Sequence, residues 1–377
     1  MIGFNKPYLT GQELEYIQDA HNRSQLSGDG HYTKLCSEWL QANTGSYRAF
    51  LTHSCTAALE MSAILANIQP GDEIIMPSYT FVSSANPFVL RGGIPVFVDI
   101  RKDTLNINEN LISEAITAKT KAIVVVHYAG ISCEMDTIMN IARKHNILVI
   151  EDAAQGIFSD YKGSRLGSIG DLGCYSFHET KNIISGEGGA LLVNNPELSD
   201  RASIIREKGT NRNQFLNGTV DKYSWVDIGS SYLPGEIIAA FLWAQLQQGE
   251  NITSMRKELW NSYDHFFSQM HENKFLAKPV IPKGCSGNGH MYFLILNDSI
   301  DRNVFIKKMK KAGVDCVFHY VPLHSSPAGQ QYGRVCGSME VTEHVSRQLV
   351  RLPLWLGMDI KKIQDSIQLV IRNDELH

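Results

Sequence analysis

Residues 122–150 read AIVVVHYAGISCEMDTIMNIARKHNILVI, and this stretch decides the fold. It opens on Ala122 to Val126, an apolar run without polar alternation, the pattern of a strand buried on both faces. The segment near 134–145 has helical character, and Leu148 to Ile150 is a second apolar run. Strand, helix and strand in that order make a βαβ unit, which joins two parallel strands. Upstream the same alternation repeats. Strands are expected at Ala49 to Leu51, Glu73 to Met76 and Pro95 to Val98, with helices near 55–67, 80–91 and 108–116. Gln69-Pro70-Gly71 stops the first of these helices. Downstream, strands at 172–177 and 189–193 follow with no helix between them, so the expected sheet is large, mostly parallel and mixed.

At the N-terminus, Thr10 with Glu13 forms a capping box, which predicts a helix over 11–21. Ser27-Gly28-Asp29-Gly30 is a loop, and a second helix follows over 31–44. Long helices at 235–248 and 249–271 lead into a unit of different character. Pro279, Pro282, Gly284 and Gly287 mark a loop at its border. A strand over 290–296, a helix over 301–312, a strand at Asp315 to Phe318 and C-terminal helices make this a compact α+β unit. The expected division is a large α/β domain over 1–250 and a small α+β domain over 251–377.

With 35 Lys and Arg against 39 Asp and Glu, the net charge of −4 argues against nucleic acid or an anionic membrane as the main partner. The longest apolar stretch, Ile237 to Ala244, is far short of the ~20 residues that span a bilayer. MIGFNKPYLTGQ lacks the apolar core of a signal peptide, and the seven cysteines are scattered without a CxxC. A cytoplasmic protein with reduced thiols is expected.

Ligands of open α/β sheets sit beyond the carboxyl ends of the strands. Three segments there carry chemistry. Thr52-His53-Ser54-Cys55-Thr56 opens a helix, and a helix N-terminus suits a phosphate, although a plain Ser cap reads the same way. Glu151-Asp152-Ala153-Ala154-Gln155 places an acid at a strand end, where it could pair with a buried cation or only cap a turn. His178-Glu179-Thr180-Lys181-Asn182, followed by Ser185-Gly186-Glu187-Gly188-Gly189, sets a lysine just past a buried strand. Desolvation there would lower its pKa and free it to form a Schiff base, whereas most lysines are solvated. Taken together the three have one use. Pyridoxal phosphate needs a phosphate cup, an acid for its pyridine nitrogen and a lysine for its aldehyde.

These residues carry a family resemblance. PGDEIIMPSYTFVSSANP, VIEDAAQG, GCYSFHETKNIISGEGGALLVN and FHYVPLH resemble the DegT/DnrJ/EryC1 group of pyridoxal-phosphate-dependent sugar-nucleotide aminotransferases, nearly end to end. The resemblance implies the type I, aspartate aminotransferase-like fold. It implies Lys181 as the Schiff-base lysine and proton carrier, and Asp152 as partner of the pyridinium. Gln155 would bond the ring's 3′ oxygen, and Phe81 would stack on the ring. Ser54, Cys55, Thr56 and Ser176 would hold the phosphate. His178, His319 and Tyr320 would lie near the sugar nucleotide, and no metal is implied. Pyridoxamine phosphate would form as the intermediate of a ping-pong cycle with glutamate. HSCTAALEM, VHYAGISCEMDTIM, IREKGTNRNQF and DKYSWVDIGSSYL bring the likeness closest to the transaminases that aminate C4 of dTDP-4-dehydro-6-deoxyglucose, in the making of enterobacterial common antigen or a related surface glycan.

The family completes its site from a second subunit, through a motif that usually reads Gly-x-Asn-Tyr-Arg. Here it reads Gly229-Ser230-Ser231-Tyr232-Leu233, so Ser231 would make the cross-subunit phosphate contact and the arginine's contact is lost. The 235–248 helix is apolar on all faces, predicts burial throughout, and suits the surface of a homodimer. Cys316, His319 and His324 lack the spacing of a zinc site. His127-Tyr128-Ala129-Gly130 faces the crevice, for packing or for substrate. Three other readings stand beside the main one. One is a relative acting at C3, giving the equatorial C4 amine, or using a UDP sugar. Another is a dehydratase, which would carry histidine where Lys181 stands. The last is a regulatory protein on the same fold.

Overall fold

The computed structural model describes residues 1–270 and 275–372. Its centre is an eight-stranded sheet. The strands run in the order Arg48–Thr52, Gly189–Val193, Leu172–Ser176, Leu148–Asp152, Thr120–Val126, Glu73–Pro77, Ile94–Val98 and Arg334–Val335. Neighbours pair parallel, except that Gly189–Val193 is antiparallel to both strands beside it. The sheet is thus mixed and mostly parallel, as the unbroken apolar runs imply. Ile123, Val124 and Val125 are all fully buried, which requires cover on both faces.

One cover is the Cys55–Leu65 helix. Ser54 caps it by accepting a hydrogen bond from the Ala57 N–H at 3.0 Å. Its apolar side chains pack with Ile74, Met76, Ile150 and Leu172. The opposite face is covered in part by the Met135–His145 helix, through Met135, Ile138 and Ala142 packed on Ile123, Val125 and Val149.

A second, three-stranded antiparallel sheet is built from Phe275–Ala277, Tyr292–Leu296 and Leu349–Leu352. The period of two in its central strand sorts two environments. Tyr292, Leu294 and Leu296 pack among Tyr263, Phe305, Met309 and Ile363, while Phe293 and Ile295 turn toward Tyr79 and Tyr128. Among the described residues no helix is long and apolar enough to cross a membrane.

Four elements depart from the sequence expectation. The helix expected over 80–91 is a 3-10 turn at Val82–Ser84 and a single turn at Asn86–Val89, since Pro87 is tolerated only in a first turn. Asp315 to Phe318 is not a strand. Val317 makes one bridge to Arg351 before the chain leaves the sheet. The first helix begins at Glu13, whose carboxylate accepts from the Thr10 and Gly11 N–H groups, and Thr10 Oγ1 caps only Gln12 N. The apolar helix, Glu236–Gln247, is not buried throughout. Ile237 is 45% exposed because only the other faces meet the Glu13–Asn22 and His31–Thr44 helices.

Candidate active site

Strand direction decides where the site lies. Thr52, Pro77, Val126, Asp152 and Ser176 end their strands along one edge of the large sheet, so the segments that follow them converge. They line a cavity of about 570 Å³. Ser54, Cys55, Thr56, Phe81, Asp152, Gln155, Ser176, His178, Lys181, His319 and Tyr320 all border it.

Lys181 sits in the crossover between Leu172–Ser176 and Gly189–Val193. Its backbone N–H bonds His178 O at 2.9 Å, which fixes the turn. Among the described residues its ammonium has neither a hydrogen-bond acceptor nor an ion-pair partner. Burial lowers its pKa, while the charges of Cys55 and Asp152 act in the opposite sense. An amine held this way is a ready nucleophile. Asp152 is buried, and burial raises its pKa. Ser84 Oγ donates to Oδ2 at 2.6 Å and Ala154 N to Oδ1 at 3.2 Å, both favouring the charged form.

The cup forms where the Cys55–Leu65 helix starts. Ser54 satisfies Ala57 N, which leaves the Cys55 and Thr56 N–H groups without an intrahelical acceptor. Gly189 crosses directly over this turn. A Cβ there would lie 2.4 Å from Cys55 N, so the Gly188-Gly189 pair allows a close backbone approach. Ser176 Oγ accepts only from His178 N, at 3.4 Å, and keeps its own proton to donate. Gln155 Oε1 accepts from Ala129 N at 2.6 Å, which orients Nε2 the other way. One N–H donates to Tyr320 Oη at 3.2 Å and the second is left over. Phe81 is 58% exposed at the cavity. Open N–H donors for a phosphate, a buried carboxylate, a desolvated amine, a spare amide donor and an exposed ring fit pyridoxal phosphate in every part.

Residues 7–370 match the DegT/DnrJ/EryC1/StrS aminotransferase family. The chain belongs to this family. It is a pyridoxal-phosphate-dependent transaminase of the sugar-nucleotide kind. It is 36% identical to uncharacterized protein MJ1066 of Methanocaldococcus jannaschii, covering 97% of this chain and 95% of that one. It is 31% identical to the GDP-perosamine synthase of Caulobacter vibrioides over 86% of both. Among solved structures, aminotransferase TlmJ from Streptoalloteichus hindustanus superposes with a TM-score of 0.89 at 27% identity, covering 98% of this chain and 99% of that one.

In this aminotransferase, the other residues singled out from the sequence are placed as follows. His178 is half-exposed, with Nδ1 2.9 Å from Thr180 Oγ1 and Nε2 3.6 Å from Glu187. His319 has no free ring nitrogen. Arg351 Nη1 donates to Nε2 at 2.5 Å, so the proton sits on Nδ1, 3.3 Å from Tyr128 Oη. Burial pushes the pKa of His319 down to about 2, and that of Tyr320 up to about 12. The two rings stack at 3.9 Å. Ser231 is not brought to the cavity; it lies exposed on a loop and bridges to Glu207. His324 is tied to Ser78 through Nδ1 at 2.7 Å. His127 is buried and bonds Glu151 at 2.8 Å, a packing role.

Ser84, Arg256, His290 and Arg351 belong to this site or border it, yet the motifs did not point to them. Arg351 left a signal. It is the lone charge inside the apolar run Leu349 to Leu356. Ser84 lies inside the TFVSSAN segment already singled out for Phe81.

Proposed function

We propose that this aminotransferase moves the amino group of L-glutamate to C4 of dTDP-4-dehydro-6-deoxy-D-glucose, giving dTDP-4-amino-4,6-dideoxy-D-galactose and 2-oxoglutarate. The observation that carries the reading is the unpartnered, desolvated amine of Lys181 beside buried Asp152 in one cavity. When bound, pyridoxal phosphate supplies an aldehyde and an electron-withdrawing ring. Lys181 would link to that aldehyde and, once released, its Nζ would take up and return the proton of the substrate's amine-bearing carbon. Asp152 keeps the pyridine nitrogen protonated. Gln155 Nε2 orients the ring through its 3′ oxygen, and Phe81 covers one face. Ser54, Cys55, Thr56 and Ser176 hold the phosphate. His178 and Tyr320 border the sugar.

A second copy of the chain completes the site through Ser231. Support comes from its exposure outside the lining of its own chain's cavity, in a stretch of sequence that also exposes Trp225, at 79%, and Ile228. The chain divides near residue 250. Within the Gly249–Ser268 helix, Ile252 packs with the core of the first part, and Tyr263 and Phe267 pack with that of the second. Cytoplasmic residence agrees with seven cysteines that form no disulfide.

A GDP sugar is the second reading, favoured by the identity to a GDP-perosamine synthase. One experiment separates them. The purified enzyme is incubated with glutamate and the dTDP, UDP or GDP 4-keto-6-deoxy sugar in turn, and products are identified by NMR. The expected result is an axial C4 amine from the dTDP sugar alone. Bleaching of the bound cofactor's visible band by glutamate is the accompanying sign. No bleaching and no product would end the proposal.

A further inference from the structure

His290 is a cavity residue whose ring has one nitrogen spent and the other open. It is only 6% exposed, stands just before the Tyr292–Leu296 strand and borders the cavity. Asn182, the residue after Lys181, decides which ring nitrogen carries the proton. Asn182 Nδ2 donates to Asn288 O at 3.0 Å, and a carbonyl can only accept. Its Oδ1 is therefore the atom turned to His290 Nδ1, 2.9 Å away, and it accepts the Nδ1 proton. In the neutral ring Nε2 then keeps a bare lone pair. Among the described residues Nε2 has no hydrogen-bond partner. Burial holds the pKa of His290 well below the usual histidine value, and the charge of Lys181 pushes it the same way, so the ring stays neutral.

The backbone around the ring is fixed as well. His290 N donates to Asn288 Oδ1 at 3.0 Å, and His290 O accepts from Arg256 Nη2 at 2.8 Å. Asn288 Nδ2 in turn donates to Gln155 O and Ile157 O, each at 2.8 Å. One set of bonds thus ties His290 to the loop after Asp152, and the Asn182 bond ties its ring to the loop that carries Lys181.

The setting selects the partner of Nε2. Most polar groups that line the cavity are donors, and they suit the phosphate and carboxylates of the ligands. An open acceptor serves a donor instead. The Lys181 amine shares this cavity, is bonded through its chain neighbour to the same ring, and has no acceptor of its own. The two do not bond each other here, which leaves the amine free to reach an aldehyde. Once released it needs a place to go. A neutral acceptor adds no negative charge, so it leaves the amine a base where a second carboxylate would keep it ionised. An amine that donates one N–H in a fixed direction also has its lone pair restricted in direction, as a base that works on carbon requires.

We infer that His290 is the positioning residue of Lys181, its Nε2 accepting an N–H of the released amine and so orienting the amine for proton transfer. The inference rests on the role proposed for Lys181 above and deepens it. The same amine serves both half-reactions, so His290 acts in both, whereas a group that binds one substrate acts in one.

The test uses the holoenzyme and two replacements that divide the ring. Asparagine can set an N–H where Nδ1 stood and keep the bond to Asn182, but it has nothing at Nε2. Glutamine reaches the Nε2 position with a carbonyl acceptor. In His290→Asn, the rate constant for bleaching by L-glutamate falls about tenfold or more, as loss of one well-placed hydrogen bond predicts. The return of the band with the keto sugar that the wild type accepts slows by a similar factor. The slowed glutamate step shows a large deuterium isotope effect with glutamate deuterated at its α-carbon, because proton transfer limits it. His290→Gln recovers both rates to within about threefold of the wild type. Wild-type rates in His290→Asn overturn the inference. So does a loss confined to the keto-sugar step, which would assign Nε2 to a sugar hydroxyl. Equal losses without an isotope effect would make the residue structural only. If Lys181→Ala still completes the cycle, the role of Lys181 fails and this inference with it; if that variant is inactive and His290→Asn matches the wild type, only this inference fails.

Discussion

Ser84 Oγ and Asp152 Oδ2 are 2.6 Å apart, a hydrogen bond between a one-turn break in the chain and the end of a central strand. Burial raises the pKa of Asp152, and Ser84 is the first of the groups that oppose the shift. Removing the donor leaves burial less opposed, so the pKa rises further. Ser84→Ala should therefore move the acidic limb of the kcat/KM profile to higher pH and lower kcat about tenfold, the worth of one hydrogen bond to a charge. Asp152→Asn should cost about 10³-fold in kcat, since the ring loses its anionic partner. A profile that does not shift in Ser84→Ala would show that Asp152 is held by other means.

Lys181 gives a prediction in stability as well as in turnover. Lys181→Ala should fold and lose transamination. A variant that still completes the cycle would remove the lysine from its assigned role. In the cofactor-free chain the folded pKa of this amine lies below 10.5 while the unfolded one does not. Between those two values the unfolded state binds the extra proton, so the lysine's penalty on folding is full at low pH and fades as pH rises toward 10.5. Lys181→Met should then raise Tm by a few degrees at pH 7, from relief of about 1–3 kcal/mol, with the gain shrinking toward pH 10. Scanning calorimetry of both apoproteins across pH checks the sign.

How much of this was legible follows from the range of each signal. The sheet could be read because apolar runs such as Ala122 to Val126 and helical stretches such as 134–145 are local patterns. Lys181, Asp152 and the Ser54 turn could be placed because strand direction delivers strand ends to one edge. The break at Val82–Ser84 was missed because hydroxyls that reach Thr56 and Asp152 outweigh a helical pattern that Pro87 already weakens. Arg351 was missed because it lies 170 positions after Lys181 on a different sheet, and no spacing rule connects the two. His319 was found, but its work is to hold Arg351, a relation only the folded chain displays.

Gly189 tests the cup by geometry. A methyl group there would sit 2.4 Å from Cys55 N and from Ser54 C, both backbone atoms that cannot swing aside. Either the Gly188-Gly189 turn or the first turn of the Cys55–Leu65 helix must shift. Gly189→Ala should destabilise the protein by about 2 kcal/mol or more and raise the Kd for pyridoxal phosphate at least about tenfold. Spectrophotometric titration of the apoprotein measures the second effect. A normal Kd would mean that the phosphate does not use these N–H groups.

Arg256 predicts a loss of stability with a distinctive failure of the conservative replacement. Its Nε donates to Gly289 O at 3.1 Å, and Nη2 to His290 O at 2.8 Å and Leu354 O at 3.1 Å. Gly289 and His290 come just before the Tyr292–Leu296 strand and Leu354 just after its antiparallel neighbour Leu349–Leu352, so one guanidinium ties together two segments at the same end of the sheet, where they border the cavity. Arg256→Met keeps the apolar stem and leaves three carbonyls unpaired, which should cost about 3–5 kcal/mol and lower Tm by roughly 6–15 °C. Lysine carries the charge but has no planar fork to span three acceptors, so Arg256→Lys should recover less than half of that loss. Thermal unfolding of the two variants decides between geometry and charge. Full recovery by lysine would show that the carbonyls need only a positive centre nearby.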